Sequence, residues 1–151
     1  MVRRIVAFVV AAAVMVVLGS LSHSLFVQDA WSTAAGMGEQ AGPVAIPMGD
    51  RINWILHDLI GLEPLFGGLT GVALFVAFLA AGLVARFTGL RLVVFAVAGA
   101  VAIFVLFTVM KMQLGTVGVF GARGTMGLGA QMTVGLLAGL LFAALTRPRD
   151  A

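Results

Sequence analysis

Cysteine is absent from the 151 residues, and only 10% of them are charged. The first absence excludes disulfides, cysteine-ligated zinc, iron–sulfur clusters and thiol catalysis. Four-helix enzymes built on buried cysteine pairs go with them. The second excludes an ordinary soluble domain, in which roughly 25% of residues are charged. No Asp, Glu, Lys, Arg or His falls near the middle of a long apolar run. Such residues mark proton relays, ion paths and voltage sensors in membranes. A proton-coupled transporter or pump is therefore not expected, and the intramembrane glutamate of small multidrug transporters is missing. A channel lined by backbone or hydroxyl groups stays open.

What is present is apolar: 62% of the chain is hydrophobic. With so few groups to solvate a surface, lipid must be the solvent for most of it. The net charge of +3 comes from nine basic and six acidic residues. The nine form no patch of the kind nucleic acid requires; they stand at the ends of apolar runs, where they act as topology signals. One lysine against eight arginines, with abundant Ala, Gly and Val, points to a bacterial source.

Four runs of 19–21 residues are read as spans, at about 5–25, 65–85, 92–110 and 126–145. About 20 apolar residues at 1.5 Å each cross a hydrocarbon core of ~30 Å, and a helix satisfies every backbone group on the way. Arg3, Arg4, Arg86, Arg91, Arg147 and Arg149 fall on one side, and Arg51, Lys111 and Arg123 on the other. By the positive-inside rule the first side is cytoplasmic, with both termini there. The expectation is a bacterial inner (cytoplasmic) membrane protein with residues 28–63 and 111–125 on the outer side. Ile5–Leu18 followed by Ser20-Leu21-Ser22 also fits a cleaved signal peptide, but apolar character resumes at Leu25, Phe26 and Val27, which favours a full span.

The long outer loop, 28–63, divides in two. Gly36, Gly38, Gly42, Pro43 and Pro47 make the first half irregular. In the second, Asp50 is placed to cap a helix at about 51–61, in which Ile52, Ile55, Leu56, Leu59 and Ile60 fill one arc. Arg51, Asn53, Trp54, His57 and Asp58 fill the other. Gly61 ends the helix, and Pro64 suits the first turn of the next. Too short to span, this helix is expected to lie in the outer interface, either as a connector capping the bundle or as a ledge over a site. His57 is expected on the side that meets water. The glycines at 115, 118, 121 and 124 read as a tight turn; no pore helix precedes them, as a potassium filter would need.

The fold class expected is thus an all-α integral membrane protein of one domain, 1–151. Its four spans form an antiparallel bundle, with one amphipathic helix on the outer face. Small residues recur at close-packing spacing: Gly67 with Gly71, Ala77 with Ala81, Ala96 with Ala100, and Gly135 with Gly139. They serve packing within the bundle or association with another protein. Polar residues collect in the outer layer: Ser20, Ser22, His23 and Ser24, with Thr70, Thr108, Lys111, Gln113, Gln131 and Thr133. Asn53, His57, Asp58 and Glu63 overhang them. Ser20, His23 and Ser24 share a helix face.

That layer is either a hydrogen-bond network stitching helix ends together or a site. As a site, His23 and His57 are the candidates for haem iron, or for a metal with Asp58 or Glu63. Trp54, Asp58, Glu63, Lys111, Gln113, Arg123 and Gln131 are the candidates for a ligand or partner. A lipid head group is the most suitable ligand, with Lys111 and Arg123 facing its anion. A Ser–His hydrolase needs a base in reach and an oxyanion hole, and no motif supplies them. No motif resembles a named family. The leading expectation is non-enzymatic: a small subunit or scaffold that associates with itself or with a larger membrane complex. No nucleic-acid partner is expected.

Overall fold

The computed structural model describes residues 2–36, 44–61, 63–117 and 122–147, and these are all-helical. Five helices follow in order: α1 (Val2–Gly36), α2 (Met48–Gly61), α3 (Glu63–Thr88), α4 (Arg91–Leu114) and α5 (Thr125–Leu145). All but α2 are long and apolar enough to cross a membrane. They contain the expected spans and exceed three of them at both ends.

The largest excess is in α1. Its 35 residues reach about 52 Å at 1.5 Å per residue, far beyond a ~30 Å hydrocarbon core. Polarity rises after Leu25, but no Gly or Pro falls between Leu25 and Gly36. The expected outer loop is therefore helical as far as Gly36. The glycines at 38 and 42, and Pro43, lie outside the described residues. The chain returns at Val44, whose N–H donates to Ser32 O at 3.1 Å. α2 begins at Met48, so Asp50 is a first-turn acid favoured by the helix dipole rather than the cap. Gly61 ends α2 and Pro64 lies in the first turn of α3, both as the sequence suggests.

The tight connection from α3 to α4 depends on Gly89 (φ 69°), whose N–H donates to Ala85 O at 3.2 Å. That left-handed position ends α3 at little cost because glycine has no Cβ. Gly115, also at φ 69°, ends α4 in the same way. Gly118 and Gly121 lie outside the described residues, and Gly124 precedes α5.

Packing is carried by aromatics and by missing side chains. Phe66 stacks on Phe107 at 5.9 Å, Phe78 on Phe142 at 4.8 Å, and Phe78 meets Phe95 edge-on at 5.6 Å. α4 and α5 touch backbone to backbone. A Cβ added to Gly99 would overlap Gly135 O, and one on Gly139 would overlap Phe95 O. In lipid, where burying apolar surface between helices gains little, such close approach is the main source of attraction.

One stripe of α1 is buried along the whole helix. It begins as Ala7, Ala11 and Met15 and continues as Ser20, His23, Ser24, Gln28 and Ser32. The four-residue repeat shifts by one position between Met15 and Ser20, and there the chemistry changes from apolar to polar. At the other end, Arg3 Nε donates to Leu145 O at 2.9 Å, and its Nη2 to Arg147 O. A cation thus meets the carbonyls that end α5. These two places are called here the α2 end and the arginine end.

Candidate functional site

The polar half of the α1 stripe is where α2 settles. Ser24 Oγ, 1% exposed, donates to Asp58 Oδ2 at 2.5 Å. Gln28 Nε2 donates to Arg51 O at 3.2 Å. Trp31 and Trp54 meet edge to face, 5.6 Å apart at 87°. His23 is buried on the same stripe, within electrostatic reach of Asp58. Ser32 Oγ turns back to Asp29 O at 2.9 Å. The Ser24 and Gln28 bonds and the Trp31–Trp54 contact pin α2 along the end of α1, and the hydrogen bonds satisfy polar groups whose burial would otherwise cost energy.

α2 therefore turns a mixed face inward, and Arg51, Asn53 and His57 of its polar arc are exposed. Trp54, Ile55, Asp58 and Leu59 are half-buried, while Met48, Ile52, Leu56 and Ile60 form an exposed row at a spacing of four residues. The apolar row faces outward, and Asp58 with the Arg51 carbonyl meets α1. His57 is exposed although Asp58 beside it is held, because successive helical residues point about 100° apart. His57 thus stands on the open side of α2, and Asn53, Trp54 and Asp58 join it and Val27 around a shallow recess of about 520 Å3.

The other sequence candidates are dispersed. α2 rests on α1 and α3. Lys111 and Gln113 are exposed on the last turn of α4 and do not line the recess. Arg123 is exposed, and its Nε donates to Val117 O at 3.1 Å. Glu63 opens α3, and its side chain lies outside the described residues. Gln131, 1% exposed, donates from Nε2 to Gly19 O at 2.8 Å and so ties α5 to α1. Its Oε1, like Gln28 Oε1, is buried with no partner among the described residues.

The two histidines differ in setting, His23 buried and His57 exposed. Among the described residues, no group of three or more His, Asp or Glu is arranged to hold a metal ion. What the α2 end does chemically is clamp two helices. Gln28 belongs to that clamp and Ser32 holds the returning chain at Val44, and sequence reasoning missed both because it ended the first span at residue 25. The signal was available: positions 20, 24, 28 and 32 repeat every four residues.

No family model, curated protein or solved structure matches the chain.

Proposed function

We propose that the protein is a non-enzymatic subunit or scaffold of a bacterial inner membrane, associating with a second copy or with another membrane protein through α3. The pairs Phe66–Phe107, Phe78–Phe95, Gly99–Gly135, Phe95–Gly139 and Gly19–Gln131 support an antiparallel bundle of the four spans. The arginine end is assigned to the cytoplasm, with both termini there, by the basic-residue count. A reporter fused at residue 88 reads cytoplasmic on this topology and one at residue 38 reads outside; the reverse pair contradicts it.

One observation carries the association. Gly99, Gly135 and Gly139 are consumed by contacts between α4 and α5, whereas a Cβ on Gly68 or Gly71 would meet nothing within 4 Å. Gly68 continues into an exposed apolar face of Val72, Phe75, Val76 and Leu79. Glycine in a helix interior costs about 0.5–1 kcal/mol relative to alanine. Among the described residues, nothing at Gly68 and Gly71 offsets that cost. A second helix packed closely on them would. Native mass measurement in mild detergent tests this: a dimer or a defined larger complex supports it, and a strict monomer with no co-purifying protein counts against it.

A second reading, binding of a lipid head group at the α2 end, is favoured by the recess beside His57. Loss of a retained lipid on Asn53→Ala plus His57→Ala supports that reading, and unchanged lipid content removes it.

A further inference from the structure

Three arginines gather where the sequence required only topology signals. Arg4 is in the first turn of α1, and Arg86 and Arg91 flank the turn from α3 to α4. They stand around a cavity of about 670 Å3. Its size falls in the range of small-molecule sites. The wall is aromatic, made by Phe8, Phe75, Phe78, Phe95 and Phe142. Ile5, Leu79 and Leu83 also line it and are themselves exposed, so one side of the cavity opens along the apolar surface.

Arg91 is positioned rather than loose. Its Nη2 donates to Thr146 Oγ1 at 2.5 Å, and its guanidinium lies over the Phe95 ring at 4.9 Å. Its Nε is buried with no acceptor among the described residues. Arg4 and Arg86 are exposed, and neither has a hydrogen-bond or carboxylate partner among the described residues. The described carboxylates, Asp29, Asp50 and Asp58, belong to the last turns of α1 and to α2. Arg4 and Arg91 repel each other. Like charges held around one apolar cavity form an arrangement that an anion would complete.

We propose that this cavity binds an anionic phospholipid. The phosphate is taken by Arg4, Arg86 and Arg91, and an acyl chain lies against the phenylalanines. The apolar wall calls for a chain as well as a phosphate. The absence of a carboxylate among the lining residues leaves no ionic partner for the cationic group of a zwitterionic lipid. The lateral opening supplies a path from the bilayer. This inference rests on the membrane placement proposed above and not on the topology; Phe75 and Leu79 also belong to the α3 face proposed for association, so the lipid's path is the side at Ile5 and Leu83.

The test uses the full chain in mild detergent, washed free of lipid, with binding read by native mass spectrometry. The probes are phosphatidylglycerol, phosphatidylcholine with the same acyl chains, and inorganic phosphate. Two variants separate charge from space. Arg86→Gln removes one exposed charge. Gly82→Leu keeps every arginine and fills the cavity, since a Cβ there would meet only the Phe95 ring, at 3.9 Å.

Phosphatidylglycerol is expected to bind at least about tenfold more tightly than phosphatidylcholine. Arg86→Gln should weaken it about fivefold, one arginine's attraction for an anionic lipid, and Gly82→Leu should abolish it with the helical spectrum unchanged. Equal binding of the two lipids overturns the proposal. So does a folded Gly82→Leu protein that binds as the parent does, or inorganic phosphate binding as tightly as the anionic lipid. Flotation of the same preparation with vesicles checks the membrane placement separately. A protein that floats yet shows no lipid preference refutes the cavity alone.

Discussion

Glycines on two of the long helices have opposite surroundings. Gly135 and Gly139 on α5 lie against the backbone of α4, so closely that no Cβ fits. On α3, Gly71 has open space where its Cβ would be, as does Gly68 one turn earlier, and Gly67 is half-buried. The spacing that lets helices approach does not say which helix approaches. Inside the chain it is read by α4 and α5; on α3 it is available to something else.

Substitution on the two helices sharpens this difference most. Gly139→Leu is expected to force α4 and α5 apart, at a cost of about 3 kcal/mol or more, since the new atoms meet backbone rather than a movable side chain. Gly71→Ala is expected to leave the monomer as stable as the parent, or up to about 1 kcal/mol more so, through helix propensity. Unfolding from mixed micelles with increasing denaturing detergent measures both. Equal effects at the two sites would break the comparison.

The α2 end gives a smaller effect. Asp58→Ala leaves Ser24 buried without its acceptor, and should cost roughly 1–3 kcal/mol. The same unfolding assay reads it, and protease cleavage between α1 and α2 should accelerate as the ledge is released. An Asp58→Ala protein as stable and as resistant as the parent would mean that α2 is held by Gln28 and the aromatic contact without Asp58. The smallest effect belongs to His57, one residue away. Its side chain is exposed, so His57→Ala should change stability by under ~0.5 kcal/mol. A larger loss would show that His57 has a partner beyond the described residues.

These paired outcomes also show where sequence reasoning stopped. The four long helices were legible because apolar runs and helix stops are local. The length of α1 was not: hydropathy falls after Leu25, but the helix ends only where a breaker appears, and its polar half is stabilised by α2, which is distant in sequence. The helical wheel separated the arcs of α2 but placed Asp58 and His57 together. Their different fates depend on the angle at which α2 meets α1, which no wheel contains. Arg4, Arg86 and Arg91 were read as charges on one side of a membrane. That they surround one cavity follows from the way α1, α3 and α4 meet, and each arginine alone satisfies the positive-inside rule.

The absence of cysteine makes the central claim directly testable. A single cysteine at Val72 lies on the exposed α3 face, and one at Val105 lies on an exposed part of α4. Each variant is oxidised in intact membranes at native expression, alongside the same positions carrying a photo-crosslinking residue. Association through α3 predicts a disulfide dimer, or a defined heavier protein adduct, at position 72 and little at position 105. Monomer at both positions, or equal crosslinking at both, would contradict it.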